Sequence, residues 1–295
     1  SPVVADSDGD GLADTVETNT GTFVDAANTG TNPNQPNSDG DKAGDWYEVA
    51  ASFTDPTDPT DQPNIPLPLP DPDPADQGAT DKPVKVYIMS GQSNMVGFGR
   101  VYGDGPGTLE TVTRMQNRFP NMIDEDSGNW TVRNDVFYRG VISDIGAGPL
   151  KPDVAGDSFG PELGFGYVMG YLHDEPVLLI KSCIGNRSLG WDLLAPGSKR
   201  YEVEENGKTM VYAGYKDSPD RWEKGTEPKK IGWYAGVQYD GDVRNAKAVL
   251  AELDKHYPGA KKYEVAGFFF WQGDKDRYNA AHANRYEQNL VHFIK

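Results

Sequence analysis

A single cysteine, Cys183, serves the whole 295-residue chain, so no internal disulfide framework exists. No run of about 18 apolar residues occurs, which leaves no candidate for a membrane-spanning helix. Basic residues are scarce beside acidic ones, 28 against 45, for a formal net charge of −17. That balance argues against nucleic acid or an anionic membrane as partner, because both repel a polyanion. There is no initiator methionine; a start at Ser1-Pro2 fits either removal of a signal peptide or an internal fragment. The length suits one mid-sized domain and something smaller. Cys183 sits in the apolar run Val177 to Ile184 and reads as a buried small side chain.

Much of the acid excess lies before residue 82, where it is patterned. In Asp6-Ser7-Asp8-Gly9-Asp10-Gly11-Leu12-Ala13-Asp14-Thr15-Val16-Glu17, acids occupy loop positions 1, 3, 5, 9 and 12, with glycine at position 6. This is the spacing of an EF-hand calcium loop. A hard cation needs about six to eight oxygens. Alternate residues of a tight loop supply them: Asp6, Asp8, Asp10, the carbonyl of Leu12, Asp14 and a closing Glu17. The alternative is an acidic, solvated loop. A second copy starts 31 residues on, with Asn37, Asp39, Asp41, the carbonyl of Ala43, Asp45 and Glu48 at the matching positions. It carries Lys42 where the first has glycine, which predicts a weaker site. Asp-Pro and Asn-Pro segments follow each copy. The pattern resembles the thrombospondin type 3 calcium repeat of bacterial secreted proteins, and the resemblance adds Asp55 and Asp58 as further ligand candidates. With so little apolar sequence in residues 1–61, bound calcium is expected to supply much of the folding free energy.

Residues 62–82 read as a linker in which Ile65 to Pro74 alternate proline with other residues, which predicts an extended, semi-rigid spacer. From residue 83 the pattern is that of an α/β domain. Val84 to Ser90 reads as a short buried strand, Pro176 to Ile184 as a second and Tyr263 to Trp271 as a third. Helices are expected from Phe159 to Leu172, from Trp233 to His256 and from Asn284 onward. Between them, residues 195–228 are polar, aromatic and irregular, an insertion over the functional face. Strands alternating with helices imply a parallel sheet whose carboxyl-end turns share one rim.

Each strand ends in a turn with chemical content. The first runs into Ser90-Gly91-Gln92-Ser93-Asn94-Met95, a serine on a glycine-tightened turn. Such a serine is a candidate nucleophile, or a plain helix cap. The third runs into Phe268-Phe269-Phe270-Trp271-Gln272-Gly273-Asp274. These two blocks, in this order, resemble the SGNH hydrolase superfamily, in particular its branch of sialate O-acetylesterases and related carbohydrate acetylesterases, over about residues 84–295. The resemblance implies a three-layer α/β domain with a parallel sheet, incomplete at its carboxyl end, behind a small calcium-loop region. It implies a serine esterase that needs no catalytic cofactor and removes acetyl groups from a carbohydrate. It further implies secretion, or attachment to the surface of a bacterium. By the same resemblance Ser93 is the nucleophile. The oxyanion donors are its own N–H, that of Gly185 and the amide of Gln272. Asp274 is a candidate to orient the base, although relatives often carry glutamate there. Asn186 departs from the usual second glycine of the Gly185 turn. None of His173, His256, His282 and His292 has the setting of the family's late histidine, which is therefore expected beyond Lys295; His282, nearest the Gln272 block, is the fallback, its plain alternative being a helical surface histidine. The other class of function is a calcium-dependent binding or adhesion protein on a degenerate hydrolase scaffold.

Overall fold

The computed structural model describes residues 5–41, 43–62, 69–115, 118–142 and 146–295. Lys42 and most of the proline-rich segment therefore lie outside the described residues. The chain divides into two compact units, Ser1–Pro70 and Asp71–Lys295.

The first unit is two loops with one short helix, α1 (Asp45–Tyr47), continued by a wider turn from Glu48 to Ser52. Its loops repeat the same hydrogen bonds. Asp6 Oδ1 accepts from the N–H of Gly9 at 2.8 Å and Asn37 Oδ1 from that of Gly40 at 2.6 Å. Asp10 Oδ1 accepts from Leu12 N and Asp41 Oδ1 from Ala43 N, both at 2.6 Å. Acid side chains that turn back on the backbone in this way build the tight loop without help from a hydrophobic core.

The second unit begins β1 (Val84–Gly91), α2 (Ser93–Val96), β2 (Gly99–Arg100), β3 (Arg133–Gly140), β4 (Ala147–Leu150), β5 (Ser158–Phe159), α3 (Glu162–Leu172) and β6 (Val177–Cys183). It continues with β7 (Tyr201–Glu205), β8 (Lys208–Tyr212), β9 (Arg221–Glu223), α4 (Val237–Ala251), α5 (Leu253–His256), β10 (Tyr263–Trp271), α6 (Ala280–Asn284) and α7 (Tyr286–Ile294). The main sheet has the order β10-β1-β6-β3-β4, parallel except for β4. This is an α/β architecture.

Side-chain alternation along the strands sorts the two faces. Val84, Val86, Leu178 and Ile180 form one core cluster with Ala246 and Val249 of α4 and with Leu253 and Tyr257. Tyr87, one residue out of phase, stacks edge-on against Phe165 of α3. On that same face a Cβ at Gly166 would sit 2.8 Å from Leu179. Helices thus cover both faces, and β6 is buried along its whole length. Close packing against the sheet is what Gly166 and Gly170 of α3 permit.

Several expectations change. β10 is not a buried strand: it is the edge of the described sheet, and Tyr263, Val265, Phe268, Phe269 and Trp271 are all exposed. A strand paired on one side only keeps its outer flank open, which an apolar run cannot reveal. Residues 195–228 are not irregular, since β7, β8 and β9 form a three-stranded antiparallel sheet. The second half of the expected spacer lies against the α/β unit. Asn134 Nδ2 donates to Pro74 O at 2.9 Å, and Ala79 N–H to Asp174 O at 2.7 Å. Among the described residues no helix is long and apolar enough to cross a membrane.

Candidate functional site

The rim is set by register. Gly91, the last residue of β1, lies opposite Trp271 on β10 and Cys183 on β6. Three parallel strands therefore end level, and the residues just past their ends meet. Gly91 has φ +153°, and a Cβ there would lie 2.1 Å from Trp271 O, so only glycine lets β1 turn this close to β10. Gln92 N–H then donates to Trp271 O at 3.1 Å. Ser93 follows as the first residue of α2, half-buried, at the helix end whose N–H groups have no intrahelical acceptor.

Gly185, two residues past β6, comes against the serine: a Cβ on it would stand 3.6 Å from Ser93 Oγ. Asn186 takes φ +62°, a left-handed conformation that asparagine tolerates better than most residues. Here the departure from a second glycine keeps the turn. Arg187 O accepts from Gln272 Nε2 at 2.8 Å, tying the β6 turn to the β10 turn.

Gln272 is engaged at both ends. Its Nε2 also donates to Asp276 Oδ2 at 2.6 Å, and its Oε1 accepts from Tyr286 OH at 2.6 Å. Two amide hydrogens facing two acceptors leave none for a substrate. Gln272 is a strut across the rim in this arrangement, not the free oxyanion donor that its position in the block suggested. Asp274 is not at the site either: it is exposed and pairs with Arg277 at 2.8 Å. The acid that faces inward is Asp276, 1 % exposed, whose oxygens also accept from the N–H groups of Leu189 at 2.9 Å and Gly190 at 2.8 Å. Two acids two residues apart on one turn gave no sequence signal for choosing between them.

A second support was legible in principle. Lys181 is fully buried in the apolar run of β6, and a buried lysine demands a partner. Its Nζ donates to Glu162 Oε2 at 2.5 Å and to Val96 O at 2.7 Å, so the ion pair holds the far end of α2. Glu162 Oε1 accepts from Gly160 N–H at 2.8 Å, which gives the Phe159-Gly160-Pro161-Glu162 stretch a structural task beneath the serine.

The four histidines each have partners of their own, and His282 packs against Gly190 of the rim turn. His173 Nε2 lies 2.8 Å from Tyr87 OH, His256 packs on Phe137, and His292 Nε2 is 2.6 Å from Pro196 O. His282 is not a surface residue: it is 4 % exposed, 3.2 Å from Asp220 and edge-on to Tyr212. Cys183, at the end of β6, has its thiol pushed up to about 12 by burial.

In the repeat unit the test for a cation is whether buried oxygens lack partners. Six have none among the described residues: one oxygen each of Asp8, Asp10, Glu17, Asp39, Asp41 and Glu48. Glu17 and Glu48 are 3 % and 0 % exposed, and burial pushes both carboxyls up to about 7. Asp6, Asp8 and Asp10 converge within ligand distance, as do Asp39, Asp41 and Glu48. A third group joins Asp10 and Glu17 to Asp45 of the second loop. This donor set, all hard oxygen, fits calcium. Position 9 departs from expectation. Asp14 accepts from Ser7 N and Oγ at 2.7 and 2.8 Å, and Asp45 from Ser38 N and Oγ at 2.7 and 2.6 Å. Both oxygens of each thus brace the loop. Asp55 and Asp58 each give one oxygen, Oδ1, to Thr57 and Thr60, and their charges act on Asp39.

No family model matches the chain, and no curated protein matches it. Among solved structures, the chain is similar to the X-ray structure of a protein from Arabidopsis thaliana. That match has 14 % identity and a TM-score of 0.38, and covers 72 % of this chain and 67 % of the other.

Proposed function

We propose that the α/β unit is a secreted or cell-surface serine esterase of the SGNH type, acting on acetyl groups of a carbohydrate with Ser93 as nucleophile. One observation carries the reading: Ser93 Oγ faces Gly185 across 3.6 Å, measured to a Cβ built there, at a rim where three parallel strands end level. An acyl carbon attacked by Ser93 would bring its oxygen toward the main-chain N–H groups of Ser93 and Gly185. Each such donor contributes about 10²–10³ in rate. The serine proton must pass to a base, and among the described residues no histidine is hydrogen-bonded to Ser93 Oγ. Lys181, Glu162, Gln272 and Asp276 hold the turns in place. The test is hydrolysis of acetylated sugars and of a chromogenic acetate by the full-length protein beside Ser93→Ala. Loss of turnover in the variant supports the reading; equal rates remove it.

The repeat unit supports calcium as a structural ligand. Asp6, Asp8, Asp10 and Glu17, with Leu12 O, would hold it in the first loop, and Asn37, Asp39, Asp41 and Glu48, with Ala43 O, in the second. The filled donors of Gln272 favour a second reading for the whole chain, a calcium-dependent carbohydrate-binding protein on a hydrolase scaffold. Glycan binding that persists in Ser93→Ala without any turnover in the parent would select it.

A further inference from the structure

The closing glutamates share a feature that loop spacing does not contain. Glu17 Oε1 accepts from Thr31 Oγ1 at 3.1 Å, and Thr31 Oγ1 lies 2.7 Å from Thr29 Oγ1. Glu48 Oε1 accepts from Thr54 Oγ1 at 3.0 Å, and Thr54 Oγ1 lies 2.8 Å from Ser52 Oγ. In both copies the other oxygen, Oε2, is buried and has no partner among the described residues. A hydroxyl has one hydrogen, so while Thr31 and Thr54 donate to their glutamates, the short contacts two residues back are met only by the hydrogens of Thr29 and Ser52, which also have Val16 O at 3.0 Å and Tyr47 O at 3.4 Å as acceptors. The relay is the same in both repeats: hydroxyl, threonine, glutamate, empty oxygen.

Linear spacing does not explain this match. Thr31 stands fourteen residues beyond Glu17, and Thr54 only six beyond Glu48. What the two share is the next step of the chain, Thr31-Asn32-Pro33 and Thr54-Asp55-Pro56. The first clip is also anchored: Thr29 N–H donates to Val16 O at 2.9 Å, and Asn19 N–H to Thr31 O at 2.8 Å. Thr29 and Thr31 are fully buried, so water does not substitute for either hydroxyl.

We propose that Thr31 and Thr54 are positioning residues for calcium, each fixing one oxygen of its repeat's closing glutamate so that the other is presented to the ion. This rests on the calcium reading above. The clip selects the carboxylate rotamer before the ion arrives, and it makes the segment after each loop part of that loop's site. Groups of this kind, behind the ligand, typically carry about 10–100-fold in metal affinity.

The experiment uses the full chain with calcium and with terbium in its place. Trp46 sensitises the terbium, since its ring comes within 3.0 Å of a Cβ built on Gly11 of the first loop. Thr31→Val and Thr54→Val are compared with Thr31→Ser and the parent. The expected result is a loss of about tenfold or more at one of two sites in each valine variant. Luminescence lifetimes in H2O and D2O should report added water on that ion, because a loosened carboxylate gives up a position. Thr31→Ser should restore both readouts. Circular dichroism in saturating calcium separates this from misfolding. Unchanged affinity and hydration in both valine variants would overturn the proposal, as would a serine variant as weak as valine. A parent chain that binds no calcium would instead overturn the reading on which it rests.

Discussion

Raising the pH in the presence of a chelator should unfold the repeat unit. Around Glu17 the largest effect is burial, followed among the charges by those of Asp8, Asp10 and Asp45; around Glu48 it is burial, then Asp41, Asp39 and Asp45. Each carboxyl is pushed from its usual 4.5 to about 7. In the unfolded chain both return to the usual value. Between the two values the folded unit binds more protons than the unfolded chain. Its stability is therefore fully present below 4.5 and is lost as the pH climbs toward 7. The displacement amounts to about 3 kcal/mol per glutamate at most. Halving it for the water that reaches these loops leaves about 3 kcal/mol for the pair. That is large for loops that bury little apolar surface beyond Leu12 and Ala43. Calcium reverses the sign, because it binds the ionised carboxylates and its affinity rises over the same interval. Hydrogen exchange over residues 5–62, in chelator and in excess calcium, from about pH 4 to about pH 8, measures the effect. Stability in chelator that stays level or rises across the interval would refute the argument.

Two further predictions concern the α/β unit. Lys181→Met strands Glu162 as an unpaired buried charge and should cost about 3–5 kcal/mol in denaturant unfolding, whereas Lys181→Met with Glu162→Leu should recover much of it; equal loss in both would show that the pair is not the cause. Cys183, 1 % exposed with its thiol held up at about 12, should resist a thiol reagent at neutral pH in the native state and react only on unfolding, as mass spectrometry of the alkylated chain would register.

Two kinds of signal made the fold readable in advance. β1, β6 and the position of β10 follow from apolar runs closed by glycine or polar turns, a local property. Which runs are covered is not local: β10 is as apolar as β6, yet it stands at the edge. At the rim, Ser93 and Gly185 were findable because each lies just past a strand end. The exchange of Asp274 for Asp276 was not, since it depends on which carboxylate the turn aims at Leu189 and Gly190. Lys181 could have been picked out as a charge inside an apolar strand, but nothing in the spacing names Glu162 as its partner. In the repeats, alternation named most of the inward-facing acids. It could not foresee that a serine at position 2 takes up the acid at position 9.

A carboxylate's task here can be judged by how many of its oxygens are already filled. Glu162 and Asp276 have both oxygens occupied by N–H groups of the protein, so they stiffen the turns around Ser93 and offer a ligand little. Asp8, Asp10, Glu17, Asp39, Asp41 and Glu48 each keep one buried oxygen empty beside others in the same condition, and several half-filled acids in one loop are what a divalent ion satisfies. Asp242 tests the distinction. It too has an empty oxygen, and burial pushes it up to about 7. It borders a cavity of roughly 300 Å³ lined mostly by apolar side chains such as Ile88, Phe268 and Phe293. Its hydrogen bonds come from Ser182 and Gln238, with no second acid among the residues lining that space. A lone carboxyl in an apolar wall is relieved by one proton, whereas a cation would bring a charge that nothing else there balances. The same chemical group is thus a strut at the rim, a candidate ligand in the loops and an acid with raised proton affinity in the core, according to what fills its second oxygen.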